Sequence, residues 1–444
     1  MKKRIYFGTD GIRGRVGDQC INPDFFFKLG VAVGRELTEK NTTDKKIIIG
    51  RDTRVSGKSL QIALTEGLLL EKIIVEDLGV LPTPAIAYFT KELEADIGIV
   101  ISASHNPYED NGVKFIHSNG MKLSDEWEMR IENKIENLQS FSTKKLGSEK
   151  ILNHFQEKYI QHCLALFPNL YLKNDKIILD CANGATSHIA EKILKQLGAD
   201  VVSIHSEPNG YNINDHCGAT DLQALQKKVL QEKADVGLAF DGDGDRLLMV
   251  DHQGEIVDGD EILCILALNQ KKQQGVVGTL MSNLGLEKSF EKNNILFLRA
   301  NVGDRYVLEK MKEKNWRLGG EASGHIINFD YSNSGDGIIT GLQILEVIQQ
   351  THQPLSILKQ VMQKRPQILM NIKVKNPQLF STMPEILKAV QDAEKTLNGI
   401  GRILLRASGT ESCVRVMVEC DHSAQAKTIA NNVASIVTHC FELY

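Results

Sequence analysis

A chain of 444 residues is long enough for several hydrophobic cores, which argues against a single domain. Its 42% hydrophobic and 24% charged residues are those of an ordinary soluble protein. A formal net charge of −4 argues against non-specific nucleic-acid binding, and no segment approaches the ~20 apolar residues of a membrane helix.

Met1-Lys2-Lys3-Arg4 carries the charge of a signal-peptide start, but Gly8-Thr9-Asp10-Gly11 follows in place of an apolar stretch. The expected location is the cytoplasm. The eight cysteines are scattered without a C-x-x-C pair, and Cys181, Cys264, Cys413 and Cys420 sit in or beside apolar runs. They read as free buried thiols in a reducing compartment, and their spacing suggests neither a zinc site nor a disulfide framework.

One pattern recurs along the chain. Lys46 to Gly50 reads as a strand, residues 59–71 as a helix, and Ile73-Ile74-Val75 as another apolar run. A strand from Ile97 to Ile101 then enters Ser102-Ala103-Ser104-His105-Asn106-Pro107. The second round has a strand from Lys176 to Asp180, a helix over 186–197 and a strand from Val201 to Ile204. It closes with the strand Val236 to Phe240, which enters Asp241-Gly242-Asp243-Gly244-Asp245-Arg246. The third has a strand from Gly275 to Leu280, a short helix from about Leu286, a strand from Ile295 to Leu298 and a helix over 304–314. It reaches Leu318-Gly319-Gly320-Glu321-Ala322-Ser323-Gly324-His325. Such alternation predicts α/β units with mixed, largely parallel sheets, whose ligand loops lie beyond the carboxyl ends of strands. Three polar loops from three similar domains would then meet at one central cleft.

The remainder differs. Ile372-Lys373-Val374 alternates, residues 383–397 read as a helix, Arg402 to Leu405 and Val414 to Val418 as half-buried strands, and 424–438 as a final helix. This predicts a small α+β domain. The expected divisions are 1–150, 151–255, 256–366 and 367–444, with the polar stretch 140–150 as the first connection.

The loops carry the chemistry. In an extended segment Asp241, Asp243 and Asp245 share one face, and the glycines between them let the backbone curl so that the carboxylates converge. Hard oxygen ligands suit Mg²⁺ or Ca²⁺. A solvated turn is the plain alternative; an EF-hand loop is not, because Arg246 and His252 occupy the positions that need Gly and Glu. Arg246 suits an anion beside the metal. Ser104 alone reads as a turn residue, and its neighbour His105 makes no hydrolase triad. Next to a metal it becomes a candidate phosphoryl carrier, with Lys114 to supply charge or move a proton. Arg406-Ala407-Ser408-Gly409-Thr410 has the groups of an anion cradle, to which Arg415 can return; a hairpin turn is the alternative. Glu321, Ser323 and His325 suit sugar hydroxyls or an amine. Phe7-Gly8-Thr9-Asp10-Gly11-Ile12-Arg13-Gly14 adds Arg13 and is not a nucleotide P-loop.

These four loops, Ala103-Ser104-His105-Asn106-Pro107, Asp241 to Arg246, Gly320 to His325 and Arg406 to Glu411, stand in the order of one family. Over essentially its whole length the chain resembles the α-D-phosphohexomutases. Tyr6 to Gly14, Ile101 to Pro107, Asn212-Ile213-Asn214 and Val302 to Val307 are most similar to the bacterial branch acting on glucosamine phosphates. The resemblance implies four domains around a cleft and a phosphoserine at Ser104. It also implies a single Mg²⁺ held by that phosphate with Asp241, Asp243 and Asp245, and Arg246 steadying the metal loop. The implied reaction converts glucosamine 6-phosphate to glucosamine 1-phosphate, for UDP-N-acetylglucosamine synthesis. It passes through glucosamine 1,6-bisphosphate, which turns around in the cleft. Arg406, Ser408, Gly409, Thr410 and Arg415 would hold the non-reacting phosphate, and Glu321 and Ser323 the sugar. Arg13, Lys114 and His325 are unranked candidates for charge stabilisation or proton transfer. The partner is then a phosphorylated amino sugar, with neither nucleic acid nor membrane, and a homodimer is left open. One departure is Ser412-Cys413, where the family's loop usually continues with Pro after Glu. The rival readings are a phosphomannomutase or phosphoglucomutase of the same family, a phosphatase, and a non-catalytic sugar-phosphate binding protein.

Overall fold

A computed structural model describes residues 4–8, 10–39, 45–138, 147–270, 274–407 and 412–442. Its sheets contain the predicted recurrence in literal form. In the first sheet Asp110–His117, Ile97–Ile101, Lys45–Arg51 and Ile73–Val80 are neighbours in that order. The second repeats it with Leu247–Asp251, Val236–Phe240, Lys176–Asp180 and Asp200–Ile204, and the third with Ile326–Asn328, Leu318–Gly320, Gly275–Thr279 and Leu296–Ala300. Each time the three strands on one side are parallel and the fourth turns back antiparallel. Each time the chemical loop joins the third strand in sequence to that returning fourth, at the carboxyl end of the third.

The strands Ile97–Ile101, Val236–Phe240 and Gly275–Thr279 are buried along their whole length. Continuous apolar runs of this kind are what a parallel strand covered on both faces requires. One core runs through all three sheets, from Ile48 and Ile86 through Leu179 and Leu238 to Val276 and Ile339. It fixes the three loop-bearing edges relative to one another.

The first sheet gains two more strands, Ile12–Arg15 beside Asp110–His117 and Ser148–Ile151 beside Ile73–Val80. The second belongs to the stretch expected to be a connection. Parallel pairing with Ile74 to Asp77 satisfies its backbone although its side chains are exposed, so hydropathy gave no sign of it. The helix expected over 186–197 begins only at Ala190. The residues before it form turns, with Ala182 and Asn183 at positive φ, because this segment is shaped against the metal loop.

The last part is an antiparallel sheet of Gln367–Lys373, Cys413–Cys420 and Gly401–Ala407. Helices Pro384–Leu397 and Ser423–Glu442 cover one face, over a separate core centred on Val414, Val416 and Val418. Arg402 ties it to the third sheet by donating to the carbonyls of Leu280 at 2.8 Å and Ser282 at 2.6 Å. Among the described residues no helix is long and apolar enough to cross a membrane.

Candidate active site

Ser104 follows Ile97–Ile101 with φ +52°, a left-handed conformation uncommon for a side-chain-bearing residue. The surroundings hold it there. Its N–H donates to Ser102 Oγ at 2.9 Å, and Ser102 in turn donates to the buried Asp52 at 2.6 Å. Its carbonyl accepts from Arg54 and from Asn214, both at 2.9 Å, and the same two residues grip the Asn106 carbonyl. Arg54 is fixed by Asp52 at 2.9 Å, with both side chains fully buried. With its backbone bonded on both sides, Ser104 points its hydroxyl across to the second domain, where it donates to Asp241 at 2.7 Å. Gly242 permits the approach, since a Cβ there would lie 2.7 Å from the Ser104 carbonyl oxygen.

Asp241, Asp243 and Asp245 converge, each offering an oxygen within 4.8 Å of the others and all three buried, but through a turn after Phe240 in place of an extended segment: Gly244, at φ +71°, donates its N–H to the Asp241 carbonyl at 3.1 Å. Lys114 arrives from the returning strand, paired with Val100, and donates to Asp243 Oδ2 at 2.7 Å and Asp245 Oδ2 at 3.1 Å. Thr83 also donates to Asp243 Oδ2, at 2.5 Å. Asp243 Oδ1 and Asp245 Oδ1 are buried and accept no hydrogen bond among the described residues. A single ammonium does not balance three carboxylates. Burial, with Asp245 and Asp243 alongside, pushes the Asp241 carboxyl well above its usual range. Burial also disfavours charge on Asp245, but Lys114, His325 and Arg246 outweigh it and hold that carboxyl well below the usual range. Orphaned hard oxygens in a buried carboxylate cluster fit a divalent cation of the Mg²⁺ type.

Around the triad runs a ring of alternating charge. Lys114 meets Asp10 at 3.3 Å, Asp10 pairs with Lys122, and Lys122 reaches Asp304 at 2.5 Å. Asp304 lies 3.5 Å from His325 Nε2, His325 Nδ1 lies 3.6 Å from Asp245, and Asp245 returns to Lys114. Burial opposes charge on Lys114, yet Asp10, Asp243 and Asp245 raise it well above its normal value. Burial likewise lowers His325, but Asp245 and Asp304 outweigh it and lift it to about 8. His105 goes the other way, to about 4, through burial and the nearby Arg246 and Arg13.

The rim of this ring offers donors without acceptors. Arg13, paired with Asp10, and Arg246, whose Nε is 3.9 Å from Asp245, each keep a buried Nε–H with no hydrogen-bond partner among the described residues. Arg406 does the same from the C-terminal domain. Arg406 stands directly opposite Arg415 across the strand pair. Like charges so placed are destabilising, and burial together with Arg415 lowers the Arg406 guanidinium below its ordinary value. Ser408, Gly409 and Thr410 lie outside the described residues. Glu321 accepts from the Gly303 N–H at 2.9 Å; it helps raise Arg246 and partly opposes the lowering of Arg406. Ser323 lies in the same loop and is partly exposed. The arrangement is a basic rim around an acidic, cation-seeking floor, with a serine hydroxyl between them.

Models of the four phosphoglucomutase/phosphomannomutase domains match in order: domain I over 4–141, domain II over 157–254, domain III over 258–365 and the C-terminal domain over 369–436. The chain belongs to the phosphoglucomutase/phosphomannomutase family. Among its relatives in this family, phosphoglucosamine mutase of Coxiella burnetii (strain Dugway 5J108-111) is 51% identical, over 98% of this chain and 99% of its own. Phosphoglucosamine mutase of Photorhabdus laumondii is 50% identical, over 99% and 100%. The fold is also that of a phosphoglucomutase/phosphomannomutase family protein from Burkholderia thailandensis, with TM-score 0.82 and 23% identity over 99% of this chain and 98% of that one. It matches Aspergillus fumigatus N-acetylphosphoglucosamine mutase, solved with GlcNAc-6P and magnesium, with TM-score 0.70 and 18% identity over 99% and 96%.

For this phosphohexomutase chain the structure gathers Arg13, Ser104, Lys114, Asp241, Asp243, Asp245, Arg246 and His325 into one cluster, with Glu321 of the third domain near Arg246 and Arg406, and Arg415 beside Arg406 in the fourth. Sequence reasoning missed Asp10, Lys122 and Asp304, which complete the charge ring, and Asp52, Arg54 and Asn214, which hold the Ser104 loop. Asp10 was legible only as part of a Gly-rich loop. Asn214 and Asp304 lie in stretches that carry the family resemblance, Asn212-Ile213-Asn214 and Val302 to Val307, but without a readable role there; Asp52, Arg54 and Lys122 lie outside every motif.

Proposed function

We propose that this chain is a Mg²⁺-dependent phosphoglucosamine mutase of the cytoplasm. It interconverts glucosamine 6-phosphate and glucosamine 1-phosphate through phosphorylated Ser104 and a glucosamine 1,6-bisphosphate intermediate. The observation that carries the reading is the Ser104 hydroxyl 2.7 Å from Asp241, inside a carboxylate triad that retains unshared oxygens. The choice of amino sugar is supported by the names of relatives that are about half identical over the full chain. Seven of the eight cysteines are buried and Cys20 is partly buried, which supports a reducing compartment.

Asp241, Asp243, Asp245 and the Ser104 phosphate would hold the ion. Once bound, it neutralises the phosphoryl oxygens during transfer. The chain's own groups do the rest. Arg54 and Asn214 fix the Ser104 backbone, so its Oγ lies where the triad needs it. In the first transfer the bond between Ser104 Oγ and phosphorus breaks as one forms to a sugar hydroxyl oxygen, and that hydroxyl must lose its proton. Arg13 stays charged, and Lys114 is held charged by three carboxylates. His325 can accept the proton only in its neutral form, the minor one near pH 7 because Asp245 and Asp304 outweigh burial and lift it to about 8. Lys114 and Arg246 offset the charge of the transferring group. Arg406 and Arg415, with Ser408, Gly409 and Thr410, anchor the distal phosphate, and Glu321 and Ser323 contact the ring. The bisphosphate then reverses, and its other phosphate returns to Ser104. The assembly is a monomer or a homodimer, which sedimentation distinguishes.

The test is intact-mass and peptide mapping of the purified protein, joined to turnover on glucosamine, mannose and glucose phosphates. One phosphate on Ser104 and preference for glucosamine 6-phosphate are expected. Inorganic phosphate as the main product would make it a phosphatase, and preference for mannose or glucose phosphate would assign it to the sister activities.

A further inference from the structure

A second cluster shares no residue with the cleft's charge ring and lies on the carboxyl edge of the second sheet, one strand from the metal loop. Asp180 ends the strand Lys176–Asp180, His205 follows Asp200–Ile204, and Cys217 precedes the short helical turn Gly218–Thr220. One ligand atom from each lies within 4.8 Å of the other two. His205 Nδ1 is 3.0 Å from Asp180 Oδ2, while Asp180 Oδ1 accepts from the Ala182 N–H at 3.0 Å. Asp180 and Cys217 are fully buried, and the His205 side chain keeps 30% exposure, which leaves a path from solvent.

A buried histidine–aspartate hydrogen bond is ordinary by itself. It leaves the third member unexplained: among the described residues no hydrogen bond reaches the Cys217 thiol, although it is wholly buried and faces the pair. Sulfur, imidazole nitrogen and carboxylate oxygen together are the donors of a borderline-soft divalent ion, in contrast to the all-oxygen triad of the cleft. We propose that Asp180, His205 and Cys217 form a zinc site with an open fourth position. Binding would form a bond from zinc to Cys217 Sγ, and the thiol proton would leave to solvent. His205 binds as neutral imidazole and Asp180 as carboxylate. The dication then carries one thiolate and one carboxylate, so the site is neutral, as a buried site needs to be.

The place gives the ion a consequence. His205 and Cys217 flank the two ends of the segment 206–216. Within it Asn214 donates to the carbonyls of Ser104 and Asn106, both at 2.9 Å, and the Gly210 carbonyl accepts from Val55 at 3.0 Å. A zinc ion would fasten the base of the segment that grips the Ser104 loop, and so stiffen the contact between the first two domains.

The test uses the full chain saturated with Mg²⁺, with Co²⁺ as the spectroscopic stand-in for Zn²⁺. One equivalent of Co²⁺ should give a thiolate-to-cobalt charge-transfer band in the near ultraviolet, removed by one equivalent of Zn²⁺. Cys217→Ser should lose the band, and His205→Ala should lose most of the affinity. Zn²⁺ should slow amide exchange across 206–216 in the parent protein and leave both variants unchanged. Cobalt held only at the cleft has oxygen ligands and gives no such band. Absence of the band, or its survival in Cys217→Ser, would overturn the site. If Cys217→Ser does not fold, the partly exposed His205→Ala decides: unchanged cobalt affinity there also overturns it.

Discussion

The Lys122 ammonium lies 2.5 Å from Asp304, and this contact joins the first domain to the third beside the reacting centre. Lys122 also pairs with Asp10, so it links the N-terminal loop to the helix that starts at Asp304. Lys122→Met would leave two largely buried carboxylates facing each other. Removing one partner of a buried pair is costly; with Lys122 25% exposed, a loss of about 2 kcal/mol in unfolding free energy is expected. On the proposed mechanism kcat should fall as well, because Lys114 and His325 would lose the ring that positions them, and Lys122→Arg should restore part of both. Urea melts and steady-state kinetics measure the two effects. Unchanged stability and kcat in Lys122→Met would make the ring incidental.

Ser104→Ala is expected to abolish turnover in a folded protein. Ser102 has a different role. It accepts the Ser104 N–H and donates to Asp52, so Ser102→Ala leaves two buried groups each short of a partner. A loss of about 1–3 kcal/mol follows from that desolvation, with activity reduced but present. Thermal melts and phosphopeptide mapping separate the two serines. A phosphate on Ser102, or full activity in Ser104→Ala, would move the carrier.

Metal dependence should follow the free carboxylate oxygens. Asp243→Asn keeps an acceptor oxygen but removes a charge, so the site should need much more Mg²⁺ for half-maximal activity and lose turnover in chelator. The Lys114 ammonium would also lose one carboxylate partner. Activity titrated against Mg²⁺ gives the measurement, and full turnover of Asp243→Asn in chelator would remove the metal from the mechanism.

The loops were legible in the sequence because their chemistry is local. Asp241, Asp243 and Asp245 follow one another in a short segment whose glycines let it turn, and the strand before them is a continuous apolar run. Lys114 was legible only as a cation ten residues beyond Ser104; that the returning strand brings it back to the site came from the structure. The charge ring was not, because Asp10, Lys122 and Asp304 come from separate turns and helix starts whose meeting depends on domain packing. The edge strand Ser148–Ile151 escaped for a related reason: its side chains are exposed, and only backbone pairing places it in the sheet.

The cross-strand pair Arg406 and Arg415 argues for an anion between them. Two guanidinium groups opposed across a hairpin repel, burial aggravates this, and Arg406 keeps an unshared donor. A phosphate relieves that strain with charge-assisted hydrogen bonds. On the proposed mechanism this anchor does more than raise affinity. Its binding energy holds the far hydroxyl in line with Ser104, so weakening it should lower kcat as well as raise KM. Both phosphates of the bisphosphate use it in turn, so both half-reactions should suffer. Arg415→Ala is the sharper variant, because Arg406 would remain with less repulsion and some residual anion affinity. The expected result is a fall in kcat/KM of roughly tenfold or more, as for loss of a charged hydrogen bond worth about 1.5–3 kcal/mol. Glucosamine 1,6-bisphosphate should also escape more often before its second transfer. Turnover with and without added bisphosphate, with the released intermediate quantified, distinguishes the cases. If Arg415→Ala kept kcat and leaked no more bisphosphate, the opposed arginines would be a surface feature of the C-terminal sheet, and the distal phosphate would have to be held by Arg13 or Arg246.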